Sequence, residues 1–292
     1  MESKESKHGK NDLYNIEELD PDMKRELSAN KNPGTEQVTT AALFMKVGIM
    51  VLSLIAIISF GINVLPNAVT VSNTAFTKSE MPIYCVKTDE KKVALTFDCA
   101  YENDDTQKIL DTLDKYGIKA TFFVTGDWVL KYPKAVKKIV AAGHDIGNHS
   151  NNHKNMTDLT KEECMQEIIE VHDDVMELTG IQMSLFRAPY GDYNKTVLDT
   201  AKECGYDAIQ WDVDSQDWKD HGVDSILNRV VGNKSLSNGS IILMHNGAKY
   251  TPGALELIIV GLQDQGYEIV PVSKLIYTGE YTVDKTGRQF GE

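Results

Sequence analysis

The chain has 292 residues, of which 41% are hydrophobic and 25% charged; 43 acidic against 30 basic side chains leave a formal net charge of −13. That is the composition of a globular protein long enough for one large domain or two ordinary ones. The acidic balance argues against nucleic acid as a partner, because phosphate binding needs a basic surface.

Residues 1–46 are polar and carry both charge signs without a persistent apolar face, so they read as a disordered segment. Residues 47–65, VGIMVLSLIAIISFGINVL, contain no charge and are long enough to cross a bilayer as one helix. A buried core helix is the alternative, and the polar stretches on both sides disfavour it. Lys46 at the front edge favours an inside N-terminus, which makes 1–46 cytoplasmic and places the C-terminal part outside the cell membrane. Residues 66–81 are rich in Ser, Thr and Asn and read as a tether. Residues 82–292 are the folded domain.

Within that domain strand and helix patterns alternate. Strands are predicted at 93–97, 120–124, 141–146, 183–186, 207–211, 240–244 and 268–272. Helices are predicted at 105–116, 135–142, 160–179, 195–204, 223–231 and 252–265, most of them closed by a glycine. The predicted class is α/β: a distorted (β/α) barrel of about seven parallel strands, preceded by a single transmembrane helix. In such barrels the chemistry lies at the C-terminal strand ends. Asp98, His149, Arg187, Asp212 with Asp214, and His245 each follow a predicted strand, so five polar positions are expected at one mouth.

The stretch Gly147-Asn148-His149-Ser150-Asn151-Asn152-His153 carries two histidines four apart in a loop. Neutral imidazoles so spaced suit a divalent metal, and a pair of solvated histidines is the plainer reading. The four cysteines, Cys85, Cys99, Cys164 and Cys204, contain no C-x-x-C pair and read mostly as unbridged core thiols.

Five short motifs then appear in one order: Thr96-Phe97-Asp98-Cys99-Ala100; His149-Ser150-Asn151-Asn152-His153; Arg187-Ala188-Pro189-Tyr190-Gly191; Asp214-Ser215-Gln216-Asp217-Trp218; and Leu243-Met244-His245. Each is weak alone. In this order and strand context, residues 93–277 resemble the polysaccharide deacetylases, the NodB-homology domains of carbohydrate esterase family 4.

The resemblance implies a metal-dependent hydrolase that removes acetyl groups from N-acetylated sugars. It implies His149 and His153 as metal ligands, Asp98 as general base, and Arg187 as the group that holds Asp98 ionised. His245 is implied as the acid for the leaving amine, with an acid of the fourth motif, Asp214 by preference, charge-stabilising it. Tyr190 would offer a backbone N–H to the oxyanion, and Trp218 and Leu243 would line the acetyl and sugar pocket. Zinc is the implied metal, with cobalt, manganese or nickel as alternatives. The implied partner is peptidoglycan, at its N-acetylglucosamine or N-acetylmuramic acid, or a related N-acetylated glycan; chitin oligomers or the O-acetyl esters of xylan are the alternatives. A catalytically degenerate glycan-binding domain is the reading from another class.

The chain departs from the family at Cys99, where a second aspartate normally supplies the third metal ligand. Three readings stand: Cys99 ligates as thiolate, Asp104 or Asp105 reaches the metal, or water completes the site. The preferred expectation is that Cys99 is dispensable for metal. The run from Asp98 to Asn103 also resembles a branch, including N-acetylmuramic acid deacetylases, in which the second aspartate is replaced. His144 is expected to pack or hydrogen-bond near its strand, and His172 and His221 to be solvated. Trp128 and Trp211 are expected in the core, and the acids of 162–177 on a solvated helix face.

Overall fold

The computed structural model describes residues 81–101 and 105–291. The apolar run at 47–65, the segment before it, nearly all of the tether and Asp104 lie outside the described residues. Among the described residues no helix is long and apolar enough to cross a membrane.

The elements are β1 (Cys85–Val86), β2 (Lys92–Cys99), α1 (Thr106–Lys115), β3 (Thr121–Val124), α2 (Gly126–Lys131), α3 (Pro133–Ala141), β4 (Asp145–Asn148), α4 (Lys161–Thr179) and β5 (Leu185–Phe186). There follow α5 (Lys195–Glu203), β6 (Asp207–Ala208), β7 (Val213–Asp214), α6 (Val223–Val230), β8 (Ile241–His245), α7 (Thr251–Asp264), β9 (Glu268–Ile269), α8 (Val272–Leu275), β10 (Tyr281–Val283) and β11 (Arg288–Gly291). Local chemistry sets several of these boundaries. Helix α4 opens on a capping box, in which Thr160 Oγ accepts from Glu163 N–H and the Glu163 carboxylate accepts from Thr160 N–H. It ends at Gly180, whose φ of 75° is left-handed. Thr125 caps α2 by accepting from Trp128 N–H.

The main sheet runs in the order β6-β5-β4-β3-β2-β8-β7, with β9 beside the start of β2, and every pairing in it is parallel. It is a curled parallel sheet with helices outside it. No ladder joins β6 to β7 among the described residues; the chain at Ile83 pairs with Ile209 there instead. A small sheet, β1-β11-β10, joins a strand before the first predicted one to two beyond the last.

The alternation of β2 serves two cores. Val93, Leu95, Phe97 and Cys99 join the cluster shared with the helices, with Ile109, Phe122, Ile168, Ile242 and Ile258. Ala94 joins the inner cluster with Phe123, Leu185, Ile209 and Ile241, against which β1 and α8 pack. Thr96 and Asp98 continue that inner face toward the C-terminal end of the strand.

Two elements in the sheet's path differ from the sequence reading. The strand predicted at 207–211 stops at Ala208, and a separate two-residue strand, β7, follows. A two-residue strand is too short to show a period of two, which is why it is invisible in the pattern. Helix α2 was likewise absent from the reading; at six residues it carries too few turns to present a stripe.

Candidate active site

Register gathers the site. Asp98 on β2 lies level with Phe123 on β3 and with His245 on β8; Asn148, the last residue of β4, lies level with Phe186 on β5. His149 and Arg187 are the next residues on their chains, so four of the predicted groups stand at the same end of neighbouring strands.

Arg187 is fully buried and Asp98 nearly so. Arg187 Nη1 donates to Asp98 Oδ1 at 2.7 Å and to Thr96 Oγ1 at 2.9 Å, while Nη2 donates to the Gln210 carbonyl at 3.2 Å. Its guanidinium carbon lies 4.1 Å from the Phe123 ring centroid and 5.5 Å from that of Trp211. Phe123 has room because its neighbour across the ladder is Gly147: a Cβ there would sit 2.6 Å from a Phe123 ring carbon. Burial alone raises the Asp98 carboxyl; the Arg187 guanidinium, with His149 and His245, outweighs it and holds the group below the usual carboxylate range.

His149 Nδ1 lies 2.7 Å from the Arg187 carbonyl. A carbonyl only accepts, so Nδ1 carries the proton and Nε2 presents a lone pair. That Nε2 is 3.5 Å from Asp98 Oδ2. The His153 ring stands 4.9 Å from that of His149, centroid to centroid, and the Tyr190 ring 4.6 Å from His153. Burial depresses both imidazoles, His153 to about 4, and so keeps them in the neutral form that binds metals.

On the other side His245 is held by one acid in two places. Asp217 Oδ1 is 2.7 Å from His245 Nδ1, and Asp217 Oδ2 accepts from His245 N–H at 2.8 Å. Thr251 Oγ1 also donates to Asp217 Oδ2, at 2.5 Å. Burial alone lowers the His245 pKa; the bond to Asp217 and the charges of Asp217, Asp98 and Asp214 outweigh it and raise it.

Two predicted acids are corrected here. Asp214, the preferred partner of His245, instead accepts from Gln216 N–H at 2.8 Å; the acid on the imidazole is Asp217, three residues later. Asp212 is at the opposite end of the sheet, because it precedes β7 and pairs with the start of β8: it accepts from Ser240 Oγ and from Ile241 N–H, each at 2.9 Å. Burial raises its pKa to about 6.

Tyr190 sits in a short 3-10 turn (Pro189–Gly191) with φ 62°, the residue 64% exposed at the rim. Trp218 is half exposed in a second such turn (Asp217–Lys219), and Leu243 is buried one alternation below His245 on β8. The sequence reading passed over Tyr101, whose ring meets that of His245 edge-on at 5.8 Å. Its place directly after the first motif was the available signal.

Cys99 lies on the helix side of β2, fully buried, with its thiol 3.7 Å from the Phe97 carbonyl. None of the four cysteines is disulfide-bonded. Asp105 stands at the N-cap position of α1 and pairs with Lys108 at 3.2 Å. Among the described residues no group of three or more His, Cys, Asp and Glu side chains is drawn together to hold a metal. The residues present nonetheless fit a divalent cation bound at two histidines: two neutral imidazoles in contact, one with its lone pair fixed, beside an ionised carboxylate.

Of the plainer readings, His144 accepts from Ala120 N–H at 3.1 Å and is pushed to about 4 by burial; Trp128 is in the core. His172 is not simply solvated: its Nδ1 meets Tyr206 Oη at 2.5 Å. Nor is the acidic face of α4 uniform, since Glu167 is buried.

Known proteins are similar in the same region. The family model for polysaccharide deacetylase matches residues 86–209. The peptidoglycan-N-acetylglucosamine deacetylase PgdA of Listeria monocytogenes is 36% identical over 200 residues, covering 67% of this chain but only 42% of PgdA. The chain thus spans less than half the length of that relative. The peptidoglycan-N-acetylmuramic acid deacetylase PdaA of Bacillus subtilis is 35% identical over 201 residues, covering 68% of this chain and 76% of PdaA. Among solved structures, BA3943 of Bacillus anthracis, described as a CE4 family pseudoenzyme, superposes with a TM-score of 0.65 at 31% identity, covering 74% of each chain. With these matches over the strands that build the mouth, the chain belongs to the polysaccharide deacetylase family.

Proposed function

We propose that the chain hydrolyses N-acetyl groups of cell-wall amino sugars, the N-acetylglucosamine or N-acetylmuramic acid of peptidoglycan. The observation that carries this reading is a divergence between neighbours. Asp98 and His245 are level on adjacent strands, and their surroundings push them in opposite directions: Arg187 favours the carboxylate of Asp98, and Asp217 favours the proton on His245. A carboxylate paired with a guanidinium and an imidazole paired with a carboxylate are set to divide the duties of base and acid.

In the reaction, Asp98 takes the proton of the attacking water as its oxygen adds to the acetyl carbonyl carbon. Arg187 keeps Asp98 ionised and aimed. His245 gives its proton to the sugar nitrogen as the C–N bond breaks, leaving acetate and a free amine, and Asp217 stabilises the imidazolium before that transfer. Tyr190 N–H donates to the oxyanion, a contact worth about 2.7–4 kcal/mol when made by one donor. Trp218 and Leu243 bound the pocket for acetyl and sugar. His149 and His153 would hold a divalent cation, zinc by preference for imidazole donors, which supplies positive charge to polarise the carbonyl. The apolar run at 47–65 would anchor the chain in the cell membrane with the described domain outside, facing the wall.

The test is mass spectrometry of peptidoglycan fragments incubated with the protein. Loss of acetyl mass, assigned to one of the two sugars, is expected; fragments that keep every acetyl group would overturn the reading. A second reading, a glycan-binding domain without turnover, is favoured only by Cys99 at the third ligand's position and by the likeness to a pseudoenzyme. The same experiment separates it, since a binder leaves the masses unchanged.

A further inference from the structure

Exposed Glu170 on helix α4 accepts from Asn151 Nδ2, and every acid of the helix but one is exposed or half-buried. The exception is Glu167, 4% exposed. Its Oε2 accepts from the backbone N–H of Asn152 at 2.8 Å, and its Oε1 pairs with Lys154 at 2.7 Å. Both partners flank His153, and they lie 13 to 15 residues earlier in the chain.

That loop needs holding. Ser150 and His153 have φ of 65° and 52°, left-handed values at two non-glycine residues. Such conformations are disfavoured for residues with a Cβ and persist where the surroundings over-determine them. Asn148 Oδ1 accepts from Ser150 N–H at 3.0 Å, and Ser150 Oγ accepts from His153 N–H at 3.1 Å. The Ser150 and Asn151 carbonyls accept from the first two N–H groups of α2. Those contacts fix the two ends of the loop; the N–H between them, that of Asn152, is taken by Glu167. A carboxylate on a backbone N–H is among the stronger hydrogen bonds, and this one is part-buried.

We propose that Glu167 is a positioning residue for the metal site: through Asn152 N–H it locks residues 150–154 so that His153 stands beside His149 before any ion arrives. This rests on the reading of His149 and His153 as ligands. Groups that orient a metal's ligands from behind are worth about 10–100-fold in metal affinity when removed. What matters in this account is an acceptor of the right reach. Glutamine keeps an oxygen at that distance; aspartate keeps the charge but is one methylene too short; alanine loses both.

The experiment is titration of the full chain, stripped of metal, with Co²⁺, following visible absorption at a temperature well below the melting point of every variant. Wild type and Glu167→Gln should bind within about threefold of each other, whereas Glu167→Asp and Glu167→Ala should each bind at least tenfold more weakly. Glu167→Asp binding as tightly as wild type would overturn the proposal, and so would Glu167→Gln binding as weakly as the shortest side chain. The two substitutions decide the matter even if Glu167→Ala does not fold. A wild type that takes up no Co²⁺ would overturn the metal reading itself, a result distinct from equal binding by all variants, which would overturn the role of Glu167 alone.

Discussion

The assignment of acid and base turns on single carboxylates. In the fourth motif two acids stand three apart, and strand alternation cannot say which returns to the imidazole. The backbone decides: Gln216 takes φ 50°, and the following 3-10 turn swings Asp217 under His245 while Asp214 caps the turn. Asp217→Asn should therefore act through His245. His245 has its pKa raised on balance, so its acid form prevails below that value and is lost as pH rises through it. Removing the Asp217 charge takes away the strongest partner that raises the imidazole, while burial still depresses it. The alkaline limb of the kcat/KM profile should move to lower pH, and the rate at neutral pH should fall on the order of 10²-fold. A profile that falls in height without moving would contradict the relay. Asp98→Asn and His245→Ala should each remove most turnover with the circular dichroism spectrum unchanged. Cys99, on the helix side of β2, should be a bystander: Cys99→Ser should keep metal content and rate within about tenfold, or 1.4 kcal/mol. Metal loss equal to that of His149→Ala would show a thiolate ligand.

At the scale of elements, the strand–helix alternation and the strand ends holding Asp98, His149, Arg187 and His245 were legible, because long helices and buried strands leave strong periodic signals. Short pieces were not. The two residues of β7 carry no period, and the mistake about Asp212 follows from merging them with β6. Glu167 was hidden for the opposite reason, since an acid among acids on a helix looks solvated until the loop it reaches is folded. One glycine shows how elements support the site. Gly147 on β4 leaves space for Phe123, on which Arg187 rests. Gly147→Ala should press a methyl into that ring and cost about 1–3 kcal/mol by overpacking, lowering the melting temperature by roughly 2–4 °C for each kcal/mol. An unchanged melting point would mean that the ring yields freely. Arg187→Ala should cost more, about 3–5 kcal/mol, because it removes the guanidinium paired with a buried carboxylate.

For the molecule as a whole, the proposed membrane topology rests on sequence alone. An uncharged apolar run of 19 residues at 47–65 precedes the deacetylase domain, with a polar tether between them. Protease added to intact protoplasts should release the domain and spare residues before the run; full protection of the domain would reverse the orientation. The proposed roles fall on two sides of the sheet mouth, with Asp98, His149, His153 and Arg187 at β2, β4 and β5, and His245 with Asp217 at β8 and the turn after β7. That division makes one measurement decisive: acetate release from an N-acetylated peptidoglycan fragment by the chain stripped with chelator and titrated back with Zn²⁺. The account predicts negligible release when stripped, recovery that saturates at one ion per chain, and no recovery in His149→Ala. Full release in the presence of chelator, or full recovery in His149→Ala, would contradict it.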